Sequence, residues 1–239
     1  MRVPHLVVDD RAPVLAVGAD TDHHLRKVLR LRDGAAVTVT DGRGGVADAE
    51  LTTAGLAVVG PWRRADSRAP SVTLWAAIGK GTKFDLVVEK ATELGVAAIR
   101  PILCERGERH VAKQRRWETI ARSAVEQSRG AWLPEIGEPL AFGDAVAAGC
   151  GILLHPGAGG GARLLLLAGP AHVAVGPEGG FTETEVASAS AAGWTVCGLG
   201  PRVLRTETAA VVAAALAVAA AGGLDAQDLP DEVSKTLGG

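Results

Sequence analysis

The stretch from Ala171 to Ala221 reads AHVAVGPEGGFTETEVASASAAGWTVCGLGPRVLRTETAAVVAAALAVAAA, and it contains two similar units. In each unit a short apolar run is followed by Gly-Pro, four further residues and Thr-Glu-Thr. Such runs are typical of strands buried on both faces of a parallel sheet, and each Gly-Pro pair ends its strand. The stretch therefore predicts two parallel strands with similar loops at their carboxyl ends, where open α/β sheets bind ligands.

The residues after each loop predict a helix. Thr182 and Glu185 have the spacing of a capping box, and Thr206 is a second predicted N-cap. The helix after Thr206 has no charged residue between Glu207 and Asp225. A helix that is apolar on all sides must be buried on all sides, so we expect this one to lie in the core or against a second subunit.

Length and composition indicate an ordinary globular protein. With 239 residues, 47% of them hydrophobic, the chain can form one large domain or two modest ones. We expect no membrane segment and no signal peptide, and therefore a cytoplasmic location. Cys104, Cys150 and Cys197 are far apart and are predicted to be small core residues. We expect no metal site, because the pair His23-His24 lacks further ligands at a suitable spacing.

The chain is predicted to contain two domains, residues 1–69 and residues 70–239. The polar segment 61–70 is bounded by prolines and is typical of a linker. Beyond it strands and helices alternate, which predicts a largely parallel sheet.

The first domain is predicted to be β-rich and to bind RNA. Alternation in residues 36–40 and an Asp-Gly turn signal at 41–42 predict a hairpin. The basic amphipathic segment 22–32 is suited to the RNA backbone, since arginine can bond two phosphate oxygens at once. A second basic stretch lies in the other domain. Residues 100–129 hold 8 basic and 4 acidic residues. This excess fits either a surface that binds a polyanion or a solvated helix face with salt bridges.

The segment Gly176-Pro177-Glu178-Gly179-Gly180 lacks both the glycine spacing of a dinucleotide fingerprint and the lysine of a P-loop. Glu178 would repel a pyrophosphate, so a ligand without phosphates fits better. S-adenosylmethionine is one such ligand, although two tight turns without any ligand explain these residues equally well. Hydrolysis has no support, because no nucleophile has a base at a recognisable spacing.

Together the two loops resemble a known family. VGPEGGF at 175–181 followed by LGPRVLRTETA at 199–209 is similar to the paired signature of the RsmE family, bacterial methyltransferases that modify N3 of a uridine in 16S ribosomal RNA. Further segments resemble the family in the expected order: Glu89 to Val96, Glu105-Arg106, Trp117, Glu126 to Ser128, and His24 with Val28 to Arg30. The resemblance covers nearly the whole chain.

The resemblance implies more about the fold than the residues do. The residues alone predict an unknotted doubly wound sheet. The family implies an α/β domain of the SPOUT class, in which a parallel sheet ends in a C-terminal deep trefoil knot that forms the S-adenosylmethionine pocket. It also implies a small N-terminal PUA-like β-barrel that binds RNA, a homodimer, and 16S rRNA or the small ribosomal subunit as partner.

Three groups of site residues follow. Arg205 would stabilise negative charge that develops on uracil, and Glu207 or Glu178 would accept the N3 proton or order the amino group of the cofactor. The loops expected to hold the adenosine contain Leu154, His155, Gly176, Pro177, Gly179, Leu199, Gly200 and Leu204. The residues expected to contact RNA phosphates are Arg2, Arg26, Arg30, Arg106 and Arg129.

At two positions the chain departs from many relatives. His5 and Gly130 stand where arginine is common in the family.

Two alternatives to uridine-N3 methylation remain open at this point. One is a methyltransferase of the same class that acts on the ribose 2′-hydroxyl, and the other is a non-catalytic RNA-binding assembly factor.

Overall fold

The structure, a computed structural model, describes residues 3–65, 71–107, 113–159 and 171–224. The chain forms two compact units, one of residues 1–67 with 125–133 and the other of residues 68–124 with 134–239. Two separate parts of the sequence therefore build the first unit.

A mostly antiparallel sheet and one short helix make up the first unit. Its strands are β1 (His5–Val7), β2 (Val14–Leu15), β3 (Ala36–Thr40), β4 (Gly45–Thr52), β5 (Gly55–Val58) and β6 (Arg63–Arg64). The strand order is β1-β3-β4-β5-β2 with β6 beside β4, and the β1–β3 pair is parallel. Helix α1 (Ala19–His23) continues into a π-helical turn, His24–Val28.

The core of this unit explains its sequence pattern. Val37 and Val39 of β3 are fully buried while Ala36 and Thr38 are more exposed, as alternation requires, and the predicted hairpin of β3 and β4 is confirmed. Leu25 from the π-helical turn is also fully buried in this core. In the same basic segment Val28 is exposed, so only part of its apolar face is buried.

The second unit contains a seven-stranded sheet. Its strands are β7 (Val72–Ala77), β8 (Ala98–Leu103), β9 (Glu135–Ile136), β10 (Leu140–Ala141), β11 (Ile152–Leu154), β12 (Ala171–Val175) and β13 (Thr195–Cys197). Its helices are α2 (Lys83–Glu93), α3 (Gln114–Ser128), α4 (Phe142–Ala147), α5 (Glu183–Ala191) and α6 (Thr206–Ala220). The last residues of α3 belong to the first unit.

All the strand pairs in this sheet are parallel, in the order β10-β8-β7-β12-β11-β13 with β9 beside β8. Helix α6 packs against β7, β12 and α2. Phe142 of α4 and Ala189 of α5 join Trp75 and Ala77 in a buried cluster. The parallel sheet predicted from the alternation of strands and helices is confirmed. Gly95 follows the end of α2 with a left-handed φ of +82°, which is typical of a glycine that caps a helix.

One local prediction needs correction. Cys150 is exposed, because it lies in the turn before β11, whereas Cys197 is buried as expected.

Helix α6 is buried within this chain along one apolar stripe, which consists of Ala210, Ala213, Ala214, Ala217 and Val218. Of its other apolar side chains, Ala219 is exposed and the rest are half-buried. Burial of this second side against another subunit stays a prediction.

Candidate active site

Three neighbouring strands end at the same level of the second sheet. Leu154 of β11 is in register with Val175 of β12 on one side and with Cys197 of β13 on the other. The three loops that follow therefore begin side by side at the carboxyl edge, which is the usual place for a ligand in a parallel α/β sheet. Every residue predicted to contact the cofactor lies in these loops or at the end of β11.

The loop after β11 contacts the loop after β13 through the main chain. The amide of His155 donates to the carbonyl of Cys197 at 2.9 Å. A Cβ atom on Gly198 would lie 2.0 Å from the carbonyl oxygen of Ala158, so only glycine fits there. The sequence analysis missed Gly198, since its neighbour is distant in sequence and no local pattern marks it.

The loop after β12 is a tight turn joined to the start of α6. The amide of Gly180 donates to the carbonyl of Pro177 at 2.8 Å, and Gly180 has a left-handed φ of +68°. The hydroxyl of Thr206, which is buried, donates to the carbonyl of Gly176 at 3.1 Å. Thr206 was expected to be an N-cap; the structure places Arg205 at that position and uses the Thr206 hydroxyl to connect two loops.

The capping box predicted at α5 is confirmed and also fixes a fourth loop. The amide of Thr182 donates to Glu185 Oε2 at 2.8 Å, and the amide of Glu185 donates to the Thr182 hydroxyl at 3.2 Å. The other carboxylate oxygen of Glu185 accepts from the amide of Glu105, in the loop after β8, at 2.9 Å. Burial, together with the charge of Glu185, raises the pKa of the nearby Cys104 thiol to about 12, so this thiol stays protonated and is no nucleophile.

The charge on Glu178 is paired. Lys83 Nζ, in the first turn of α2, donates to Glu178 Oε1 at 2.5 Å. This hydrogen bond lowers the pKa of Glu178 and raises that of Lys83, and Lys80 lowers the pKa of Glu178 further. Both lysines were missed, because Lys83 is 95 residues away from Glu178 in the chain.

The pairing corrects one step of the sequence argument. Glu178 was expected to repel a pyrophosphate, yet the positive charges of Lys80 and Lys83 lie beside it. The sign of Glu178 alone is therefore no reason to exclude a phosphate. Arg106, predicted to contact RNA phosphate, donates through Nη1 to the carbonyl of Gly179 at 3.2 Å and so supports the turn.

Glu207 and Arg205 lie at the start of α6, close enough to Lys83 for their charges to affect its pKa. Glu207 is half-buried, and its Oε2 atom has no hydrogen-bond partner in the part of the chain that the structure describes. Arg205 is exposed. A buried carboxylate oxygen without a donor is costly, so Glu207 is suited to receive a hydrogen bond from a ligand.

The arginines predicted to contact RNA have different surroundings. Arg26 pairs with Asp22 at 2.7 Å and Asp33 at 2.9 Å and also donates to the carbonyl of Thr52, so its side chain holds the π-helical segment in place. Arg30 is exposed and Arg129 half-exposed. Arg2 lies outside the described residues.

The two departures from the family, His5 and Gly130, contact each other in the first unit. His5 Nε2 lies 2.9 Å from the carbonyl oxygen of Gly130, and Nδ1 lies 2.8 Å from the hydroxyl of Thr38. A carbonyl only accepts, so Nε2 donates and Nδ1 accepts from Thr38. Burial, with a contribution from the charge of Arg129, lowers the pKa of His5 and keeps the ring neutral.

A separate cavity of about 410 Å³ lies in the second unit beside Thr73 of β7, Arg100 of β8 and His172 of β12. His172 Nδ1 accepts from Trp75 Nε1 at 3.0 Å, so this histidine is a satisfied local residue, as predicted. These lining residues come before the carboxyl ends of their strands, and ligands of parallel sheets bind at those ends.

Neither a membrane span nor a metal cluster is found in the part of the chain that the structure describes. None of the described helices is long and apolar enough to cross a bilayer. Among the same residues, no group of three or more histidine, cysteine, aspartate or glutamate side chains could hold a metal ion.

Comparison with known families agrees with this site. A family described as RNA methyltransferase domain matches residues 67–218, and one described as RNA methyltransferase PUA domain matches residues 20–56. The fold and the loops thus define an RNA methyltransferase with a PUA domain. Ribosomal RNA small subunit methyltransferase E of Synechocystis is 36% identical and aligns with 81% of this chain and 69% of its own length. The corresponding enzyme of Mycobacterium tuberculosis is 34% identical and aligns with 85% of this chain and 86% of its own length.

The chain belongs to the ribosomal RNA small subunit methyltransferase E family, and the predicted family is confirmed. Two solved structures with bound S-adenosylmethionine are similar to it. The methyltransferase of Legionella pneumophila has a TM-score of 0.83 at 28% identity and covers 92% of this chain and 99% of its own. The methyltransferase E of Neisseria gonorrhoeae has a TM-score of 0.81 at 28% identity and covers 92% of this chain and 98% of its own.

Proposed function

We propose that this protein transfers a methyl group from S-adenosylmethionine to N3 of a uridine in 16S rRNA of the small ribosomal subunit. The observation that carries the proposal is the set of three loops at the registered ends of β11, β12 and β13, built from glycines and main-chain contacts. Relatives with the same fold are named for the small-subunit RNA, and two neighbours bind S-adenosylmethionine.

The residues of these loops fit the cofactor. Gly200 has open space where a side chain would stand, whereas a Cβ atom on Gly176 would face Phe181 and one on Gly179 would face Arg106. The residues that would line the adenosine are Leu154, His155, Gly176, Pro177, Gly179, Leu199, Gly200 and Leu204. Glu207 stands at the start of α6 and has one buried oxygen without a donor among the described residues. When bound, S-adenosylmethionine supplies an electrophilic methyl group on its sulfonium.

We assign different roles to the two candidate carboxylates. Uracil N3 carries a proton at neutral pH, so transfer needs a group that accepts it. Glu207 has an oxygen without a donor, whereas Glu178 is held by Lys83, so Glu207 is the proposed proton acceptor. Glu178 would order the loop after β12. Arg205 would stabilise the negative charge that develops on the base.

We also propose the SPOUT-type deep trefoil knot. Its support is the chain path: after β12 the chain crosses to β13 at the far side of β11, and α6 then returns to pack on β12 and β7. The loop after β13 passes directly against Ala158, at the position of Gly198. This order of strands and the return of α6 are the ones expected of a SPOUT-type knot.

A homodimer is proposed from the uncovered side of α6. Val211, Val212 and Leu216 are half-buried, and Val203 in the preceding loop is 84% exposed. Apolar side chains along one helix favour burial against a second copy.

We further propose a domain boundary near residue 69. We also propose a cytoplasmic location, because the ribosomal RNA substrate is found in the cytoplasm.

The function is tested by incubating the protein with methyl-labelled S-adenosylmethionine and small ribosomal subunits that lack the modification. We expect label in 16S rRNA, little in large subunits, and saturable cofactor binding by calorimetry. Calorimetry without detectable binding would favour a non-catalytic assembly factor. Label that appears only on ribose would favour the 2′-hydroxyl alternative.

A further inference from the structure

A small cavity in the first unit lies away from the methyl-transfer loops and has no assigned role. It has a volume of about 160 Å³ and is lined by residues from two parts of the chain, including His5, Leu29, Glu126, Gln127 and Arg129. Pockets for drug-sized ligands begin at roughly 300 Å³, and one water occupies about 30 Å³. The cavity is therefore too small for a whole nucleotide and large enough for one flat ring.

Two helix ends lie beside this cavity. In the described parts of the chain, the non-glycine residues with left-handed φ are Arg30 at +55° and Arg129 at +62°. Each directly follows a helical segment, where a left-handed residue commonly ends the helix, and the amide of the next residue donates back to a carbonyl of the last turn. This cap fixes the backbone of Arg129 at the wall of the cavity.

The side chains that line the cavity favour a flat, neutral ligand. Both ring nitrogens of His5 are used by Thr38 and Gly130, which fixes the buried ring in the wall of the cavity. The guanidinium of Arg129 forms no hydrogen bond within the described chain and can stack on a planar ring. Gln127 is exposed and offers one donor group and one acceptor for an edge.

Glu126 also contributes to the wall of the cavity. Its Oε1 accepts from the amide of Val7 at 3.1 Å. A carboxylate can accept several hydrogen bonds, including one from the edge of a base. The phosphate contact predicted for Arg129 is the alternative that the test must separate.

We propose that this cavity binds one unpaired nucleobase of the RNA, stacked against His5 and Arg129 with its edge read by Gln127 and Glu126. The proposal rests on the proposed function only in taking RNA as the substrate. Unpaired bases stacked on histidine or arginine and bonded at their edges are the usual targets of specific RNA recognition.

The test uses labelled oligouridylate and oligoadenylate of about 12 nucleotides, within the usual range of single-strand sites, and an abasic chain of equal length. We expect Gln127→Ala and Arg129→Gly each to weaken binding of at least one base-containing probe roughly tenfold, as loss of a base contact does. Neither variant should weaken binding of the abasic chain more than the matched control Arg32→Ala, an exposed arginine in the same unit. Arg129→Gly should also raise the melting temperature, because glycine accepts a left-handed φ without strain.

Two results would overturn the base site. Equal losses on base-containing and abasic probes would show that Arg129 binds phosphate, and unchanged binding of all probes by both variants would show no contact. Either result leaves the methyltransferase function standing if the wild-type protein still labels small subunits. Conversely, base-dependent binding by a protein that labels no RNA would support the cavity and contradict the proposed function.

Discussion

At the scale of single residues, the two carboxylates beside the proposed methyl-transfer site differ in what holds them. Glu178 is bonded to Lys83, while Glu207 keeps one buried oxygen without a donor among the described residues. A carboxylate already paired with a cation is a weaker proton acceptor, since its pKa is lowered. This difference gives separate expectations for the two residues.

Glu207→Gln should lower the single-turnover rate of methyl transfer by about 100-fold or more, the usual loss for a general base. S-adenosylmethionine affinity should fall much less, because the amide keeps the size of the side chain. The matched control is Glu183→Gln, an exposed glutamate in the first turn of α5. A rate for Glu207→Gln equal to that of the control would remove Glu207 from the mechanism.

His5 should make the protein less stable in mild acid. The unfolded chain takes up a proton on histidine at about pH 6.5, whereas burial lowers the pKa of His5 in the folded state. The stability that His5 contributes is therefore full above about pH 6.5 and falls as the pH drops toward the lowered value.

The check is denaturant unfolding of the wild type and of His5→Asn between about pH 7 and about pH 5. The wild type should lose stability relative to the variant as the pH falls. Parallel curves for the two proteins would contradict the neutral, buried state of His5.

At the scale of elements, the loops after β11 and β13 depend on a glycine where they touch. Gly198→Ala would place a methyl group against the Ala158 carbonyl, so the free energy of unfolding should fall by roughly 1–3 kcal/mol. Cofactor affinity should fall with it, as measured by calorimetry. Gly143→Ala, in α4 with open space around it, is the control and should leave cofactor affinity unchanged and stability equal or slightly higher. Unaltered cofactor binding in Gly198→Ala would mean that this contact does not shape the pocket.

Local patterns predicted the elements well and the tertiary pairs poorly. The capping box of Thr182 and Glu185 and the cap at Gly95 depend on residues a few positions apart, so sequence spacing was sufficient. The partners of Glu178 and Gly198 come from distant loops that only the folded sheet brings together. Arg26 shows the opposite error. Its charge led to a predicted RNA contact, but in the folded chain its side chain is paired with Asp22 and Asp33.

At the scale of the whole molecule, the two proposed sites lie in different units. The methyl-transfer loops belong to residues 134–239 with the strands of the second unit, and the nucleobase cavity belongs to the first. Variants in one site can therefore be compared with variants in the other without overlap. Loss of base binding should reduce methylation of small subunits without changing cofactor affinity.

Self-association is also a property of the whole molecule. Leu216→Glu should convert a dimer to a monomer, because it places a charge on the half-buried apolar side of α6. Light scattering after gel filtration measures this as a halving of mass. Val28→Glu, at an exposed position in the first unit, serves as the control. A wild-type protein that is monomeric at all concentrations would contradict the proposed dimer.

The most direct test of the central claim is the identity of the methylated nucleoside. Small subunits treated with the protein and S-adenosylmethionine are digested to nucleosides and analysed by mass spectrometry. We predict 3-methyluridine from a single position of 16S rRNA, formed far more slowly when Glu207→Gln replaces the wild type. A methyl group on ribose, or on any base other than uracil, would contradict the proposed reaction.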